Sequence, residues 1–313
     1  MKVKIKKLLF EYSRNSRIST KELGKKIGAS QQSASYLKNQ LKKRNLIEFN
    51  TTIVDAVKLG LVNVLVGFNY LKQDSSSKNE IINGLKEIGM IIGIEEGKEG
   101  VDLLIEFSAP NLAAFNKVRT DLISKFDKQL RTSFVFPMII NYKYLKNYLS
   151  KKFDDKVYIL YGDRIVVDLS KKELELLYSL VKNPEESIVN LSEKLKISAK
   201  SLIKIKKDLE QKQVIKAYTS IFNNLKLGIN RQIIFLRFSS EGVKQIEEFK
   251  AYTRRHRNII QFMKLIGEFQ TAIVVESLEE IGIIQEIRTN FSIENYRLIK
   301  SEKIHKKKYL PDI

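Results

Sequence analysis

The stretch "LIEFNTTIVDAVKLG" (46–60) aligns residue for residue with "VIKAYTSIFNNLKLG" (214–228), which sets Gly60 and Gly228 168 residues apart. The same spacing carries Ser30 onto Ser198, Ala34 onto Leu202, Leu37 onto Ile205 and Leu41 onto Leu209. An internal repeat governs every later inference, because whatever one copy folds into, the chain builds twice.

Each copy opens with three short helical patterns. "KIKKLLFEYSR" is amphipathic, "STKELGKKIG" begins with a capping hydroxyl followed by Glu22, and "SQQSASYLKNQLKKRN" begins at Ser30. Gly28 occupies the turn between the second and third, where a positive φ is needed; the second copy carries Lys196 there. "SKKELELLYSLVKN", "NLSEKLKI" and "SAKSLIKIKKDLEQK" repeat the set, so a helix-turn-helix occurs twice, each followed by an alternating strand that forms a wing.

The rest of each copy reads β-α-β-β-α-β, the ferredoxin-like order. The first copy places strands at 61–71, 90–96, 101–108 and 130–141 around helices at 77–89 and 110–127. The second places strands at 231–238, 259–266, 270–277 and 294–304 around helices at 241–256 and 279–291. "KVYILYGDRIVVDL" reads as a connecting hairpin turning at Gly162-Asp163. The expected fold class is therefore α/β (α+β): winged helix-turn-helix domains at 1–56 and 169–224, ferredoxin-like domains at 57–145 and 225–313, and a linker hairpin at 146–168, the two copies forming an intrachain pseudo-dimer.

At 313 residues and 43% hydrophobic content the chain can build several packed cores. A net charge of +20 favours a polyanionic partner. Half of that excess falls in residues 1–50, where ten lysines and three arginines face three glutamates. Cysteine is absent and only two histidines occur, far apart, which removes thiol chemistry and leaves no metal site in view; no cofactor is expected. No apolar run is long enough to cross a membrane and no signal peptide is legible, so a cytoplasmic location is expected.

At "VIKAYTSIFNNLKLGI", and more loosely at "LIEFNTTIVDAVKLGL", the sequence resembles the Lrp/AsnC (feast/famine) transcriptional regulators. That resemblance implies a helix-turn-helix joined by a strand to an α/β effector domain, and a dimer fused into one chain. It also implies an amino-acid or other small-molecule effector near the turn between the second and third strands of each α/β domain. The corresponding residues here are Gly267, Glu268 and Phe269, with Gln270 where an acidic residue is usual, and Gly100 and Asp102.

With Ala34, Leu37 and Leu41 turned inward, the opposite face of the third helix carries Gln32, Ser35, Tyr36, Asn39 and Lys43, beside Ser30 and Gln31 at its start. Gln and Asn bond bidentately to adenine edges, Ser bonds several bases, and Tyr reaches phosphate. The equivalent face in the second copy carries Lys200, Lys204 and Lys207, compact charges that suit phosphates rather than base edges. "RRHRN" (254–258) and "KIHKKKYL" (303–310) read as solvated basic runs, with His256 and His305 on the surface.

The leading expectation is a sequence-specific transcription regulator with two unequal heads on double-stranded DNA, able to assemble further, with no catalytic residues and no membrane contact. Two alternatives stand beside it: a weakly specific architectural DNA binder, and an enzyme like the siroheme decarboxylases. The latter share this two-part architecture, work as pairs of related chains and hold a tetrapyrrole between them. That chemistry asks for histidine and arginine converging in the α/β cavity, and with His256 at a helix end and His305 in the tail the chain is expected not to be an enzyme.

Overall fold

The computed structural model describes residues 3–71, 74–163 and 165–312. In chain order the elements are α1 (Val3–Arg14), α2 (Thr20–Ile27), α3 (Gln31–Lys43), β1 (Ile47–Val54), β2 (Val62–Tyr70), α4 (Ser75–Lys86), β3 (Ile91–Glu99), β4 (Leu103–Ala109), α5 (Leu112–Lys125), β5 (Leu130–Tyr144) and β6 (Val157–Tyr161). They continue as α6 (Lys171–Lys182), α7 (Ile188–Leu195), α8 (Ala199–Gln211), β7 (Ile215–Phe222), the single turn α9 (Asn224–Leu227), β8 (Asn230–Phe238), α10 (Ile246–Arg255), β9 (Ile259–Leu265), β10 (Thr271–Ser277), α11 (Ile283–Asn290) and β11 (Ile293–Lys307). Two compact units result. One gathers 1–60, 163–223 and 308–310; the other gathers 61–162, 224–307 and 311–313.

The first unit holds both winged helix-turn-helix heads. Hydroxyl caps start the helices: Ser30 accepts from the Ser33 N–H at 3.1 Å, and Ser170 forms a capping box with Glu173. β1 and β7 pair antiparallel with Thr51 opposite Thr219, Asn50 opposite Ser220 and Thr52 opposite Tyr218. Because Thr51 and Thr219 are equivalent in the sequence repeat, a local two-fold axis passes between them. The heads also exchange contacts across this ribbon. Thr219 Oγ1 donates to the carbonyl of Ser13 at the end of α1 (2.8 Å), while Thr52 Oγ1 donates to that of Leu180 in α6 (2.6 Å). Glu185 takes Lys42 at 2.8 Å and Lys38 at 3.5 Å.

The second unit holds both ferredoxin-like folds, in strand orders β5-β2-β4-β3 and β11-β8-β10-β9. Each last strand is long enough to leave its own sheet. The first half of β5 pairs with β2 and the second half with β9; β11 pairs first with β8 and then with β3. The eight strands therefore close into a ring, with each long strand bridging the two sheets. Alternation sorts their side chains. Val64, Val66 and Phe68 of β2 join Ile81, Leu85 and Phe115 in one helix-side core, and Ile234, Leu236 and Phe238 of β8 join Phe249 and Ile287 in the other. Asn63 and Gly67, and Arg231 and Phe235, have the opposite phase and face the inside of the ring.

The expected linker hairpin does not form. β6 instead adds to the second half of β5, Tyr161 opposite Ile140, and residues 165–170 have no regular structure; Arg164 lies outside the described residues. A strand edge already exposed by the long β5 satisfies the β6 amides better than a two-residue turn could. Gly60 and Gly228 hold φ of 76° and 65° with open space where a side chain would stand, so backbone conformation alone selects glycine at the repeat's most legible position. Lys196 meets the same demand without glycine, at φ 53°. Leu37 and Ile205, expected inside, are only half-buried.

Candidate functional site

Charged side chains gather on the inner face of the ring. Arg231 of β8 donates to both Glu95 oxygens (2.6 and 3.1 Å) and to Glu276 Oε1 (2.9 Å). Glu276, 1% exposed, also accepts from Lys146 and from the Tyr148 hydroxyl (2.7 Å). Lys307 donates to Glu106, which also accepts from the Tyr161 hydroxyl at 2.9 Å, and Asn63 donates to that hydroxyl at 3.2 Å. Lys143 stands among them, within the field of Lys307, Arg231, Glu276 and Glu106. It is the repeat partner of Lys307, since the residues paired opposite them, Gln261 and Gly93, are equivalent.

Burial raises the cost of every charge here, and neighbours decide which charges survive. For Glu276 burial would raise the pKa, but Lys146 and Arg231 outweigh it and hold the carboxyl at about 2. Burial would likewise raise Glu95, but Arg231 brings it below the ordinary range. Lys143 goes the other way: burial, then Lys307 and Arg231, push it down to about 7. Burial also lowers Lys146, to about 8, against the pull of Glu276. The centre thus contains strongly held carboxylates beside an amine that exchanges its proton near neutrality.

Three features mark the centre as more than packing. Tyr161, fully buried, holds φ at 65°, a conformation that costs a bulky residue about 1–3 kcal/mol and is kept by its ring burial and its two hydrogen bonds. Asn63 Oδ1, Ser108 Oγ and Asn141 Oδ1 are buried without a protein partner on the same inner face, an arrangement that calls for bound water or ligand. Lastly, a cleft of about 560 Å³, lined by Lys98, Asn230, Gln232, Glu280 and Lys300, reaches Arg231.

Lys307 belongs to the run read as solvated and is corrected to the inner face; none of the other residues was singled out from the sequence, although a signal existed. Glu106 in "LLIEFSA" and Glu276 in "TAIVVES" are lone charges inside otherwise apolar strands. His305 is corrected: it lies within β11 rather than in a tail, only 10% exposed, with Nε2 2.8 Å from Glu96, and burial lowers its pKa. His256 is also partly covered, its side chain 18% exposed and facing Glu286 at 3.6 Å. The two basic runs are structured as well, "RRHRN" at the end of α10 and "KIHKK" within β11.

The expected nucleic-acid face is presented as a surface. Ser30, Gln31, Gln32, Tyr36, Asn39 and Lys43 are exposed on α3 and Ser35 is half-buried, while Ala34 and Leu41 are buried. On α8, Lys200, Lys204 and Lys207 are exposed over buried Leu202 and Leu209. The turn residues are more dispersed. Gly267 and Glu268 are exposed, Glu268 lying 3.7 Å from Arg237. Phe269 is buried under the Arg297 guanidinium, 5.5 Å away. Gly100 packs on the Leu298 backbone, and Asp102 accepts from the Tyr70 N–H at 2.8 Å. Among the described residues no cluster of His, Cys, Asp and Glu could hold a metal, and no helix is long and apolar enough to cross a membrane.

No family model matches the sequence, and no curated protein matches it either. Among solved structures, the siroheme decarboxylase NirDL aligns over 99% of this chain and 94% of its own, with a TM-score of 0.60 at 13% identity. Its complex with an iron-uroporphyrin III analogue aligns over the same shares with a TM-score of 0.58. An AsnC family transcriptional regulator from Agrobacterium tumefaciens covers 55% of this chain and 97% of its own, at 15% identity and a TM-score of 0.36. The chain has the fold of a winged helix-turn-helix joined to ferredoxin-like domains. The expectation that the chain is not an enzyme is overturned: an enzyme has its fold from end to end.

Proposed function

We propose that the chain is an enzyme of siroheme-decarboxylase type, acting on a carboxylate-bearing tetrapyrrole at the ionic centre inside the ring. The carrying observation is the set of four inner cations, Lys143, Lys146, Arg231 and Lys307, against three carboxylates, Glu95, Glu106 and Glu276. That imbalance favours an added carboxylate, and the unpartnered atoms of Asn63, Ser108 and Asn141 offer it further polar contacts. Both histidines lie elsewhere, so the substrate is held by its acid groups and not by imidazole ligation of its metal.

Decarboxylation converts R–COO⁻ and a proton into R–H and CO₂. Lys143, poised near neutrality, supplies that proton to the carbon, while Arg231 and Lys307, fixed by Glu95 and Glu106, orient the remaining carboxylates. The test is an anaerobic assay of CO₂ release from siroheme with parallel visible-band titration of iron-uroporphyrin III. Lys143→Met is expected to lose turnover with a modest loss of binding, since it also removes one inner cation, and Arg231→Met to weaken binding more strongly. Absence of any band shift, or undiminished turnover in Lys143→Met, would refute the assignment.

A second reading concerns the heads, and the observation that favours it is the exposure of the α3 and α8 faces. The first head is suited to read bases through Gln32, Ser35 and Asn39, and the second to grip phosphates through Lys200, Lys204 and Lys207, on a non-palindromic duplex site. In gel-shift competition, Gln32→Ala with Asn39→Ala should cost on the order of 1–3 kcal/mol per base contact on the preferred site only. Equal losses on random DNA would overturn the role given to the first head.

A further inference from the structure

The sequence run at 254–258 is built into a cleft that has no part in the ionic centre. Arg257 donates to the carbonyls of Asn147 (3.3 Å), Ser150 and Lys151 (3.2 Å). Asn147, 2% exposed, closes the same loop by bonding both the N–H and the carbonyl of Asp154 at 2.9 Å. These bonds fix the loop at 147–156, whose Phe153, Asp155 and Lys156 form one wall of a cleft of about 680 Å³, with α10 on the other side and the helix side of β5 and β6 as its floor. The wall is therefore in place before any ligand arrives.

The floor and rim differ in chemistry. Tyr142 and Tyr144, two apart on β5, set their rings beside Val157 and Ile159, and Phe153, 39% exposed, adds a third ring at the wall. Above them stand Lys156, Lys250, Arg254 and Arg255, with Asp155 as the one acid of the lining. Asp155 engages Arg254 at 3.1 Å, and Lys250, paired with Glu247, lies 5.5 Å over the Tyr142 ring. Two positive charges remain in excess over an aromatic floor. A single carboxylate would leave half of that excess unmatched. A phosphate monoester brings nearly two charges and three acceptor oxygens, which the two arginines can engage bidentately. The volume lies in the range of small-molecule sites and accommodates a flat ring with its sugar.

We infer that the cleft between α10 and the β5–β6 strands is a binding site for a mononucleotide, its base packed against Tyr142 and Phe153 and its phosphate held by Arg254 and Arg255.

The test titrates the full chain by calorimetry with three probes: AMP, adenosine and ribose 5-phosphate. AMP should bind saturably and each fragment about tenfold or more weaker, because ring and phosphate are held at different ends of the cleft. Arg254→Ala with Arg255→Ala should weaken AMP by about tenfold or more and leave adenosine unchanged. Tyr142→Leu should weaken adenosine and AMP and leave ribose 5-phosphate unchanged. Ribose 5-phosphate binding as tightly as AMP would reduce the site to a plain anion patch and overturn the inference. So would duplex DNA binding that falls with the double arginine variant while AMP shows no heat.

Discussion

Lys143 offers the sharpest test of the ionic centre, because its burial makes an unusual demand on stability. Its folded-state pKa falls from 10.5 to about 7, a drop equivalent to about 5 kcal/mol as an upper bound, and roughly 2–5 kcal/mol where water reaches a half-buried amine. Below pH 7 the lysine is charged in both states, and the folded state bears the whole penalty. Between about pH 7 and 10.5 the folded chain has released a proton that the unfolded chain still holds, so stability rises with pH and the penalty fades. Lys143→Met should therefore stabilise the protein most at pH 6 and distinctly less at pH 9. Urea unfolding of wild type and variant at both pH values measures this as a double difference, in which the other titrating groups cancel to first order. A gain equal at both pH values would mean that Met merely packs better. A loss at pH 6 would mean that the Lys143 ammonium is well accommodated, and the account of a strained, proton-exchanging amine would fail.

Gly67 is placed by space, since a Cβ there would stand 2.4 Å from Phe134 Cε1; Gly67→Ala should cost about 1–3 kcal/mol in urea unfolding, and far less in a Phe134→Leu background. Lys196 and Gly28 answer the same turn in the two heads at φ of 53° and 68°. Lys196→Gly should accordingly stabilise by about 0.5–1 kcal/mol while Gly28→Ala destabilises by about 1 kcal/mol, both read from denaturation midpoints.

The fold was legible because each copy states its elements twice. The repeated Lys-Leu-Gly, the hydroxyl caps and the alternating strands place all but the connecting hairpin within a few residues of where they form. The ionic centre was not legible as a site, because its members come from β3, β4, β5, β8, β10 and β11 and the Lys146–Tyr148 segment, and only ring closure makes them neighbours. Periodicity assigns Arg231 and Glu276 to one face of their strands, but it does not say that the face is enclosed. His305 was misplaced for a related reason. β11 runs to Lys307 because its second half pairs with β3 of the other copy, and a strand that leaves its own sheet has no local mark.

Divergence between the copies explains why they pair with each other within one chain. Gly67 and Phe134 of the first sheet are matched in the second by Phe235 and Arg297, which occupy the equivalent paired positions. The Phe134 ring fills the space that Gly67 leaves open, lies 5.1 Å from the Phe235 ring and carries the Arg297 guanidinium at 5.1 Å. Two first sheets would set Phe134 against its own copy, and two second sheets would bring two arginines together, their charges opposed and without Phe134 to stack on. The same divergence makes the centre one-sided. Where the second copy has Arg231 and Glu276, the first has Asn63 and Ser108, so one side supplies paired charge while the other supplies Asn63 Oδ1 and Ser108 Oγ with their bonding capacity unspent. A substrate seated there would meet Arg231 on one sheet and these neutral groups at the equivalent positions of the other. A dimer of identical chains would have to present both kinds of group on both sides.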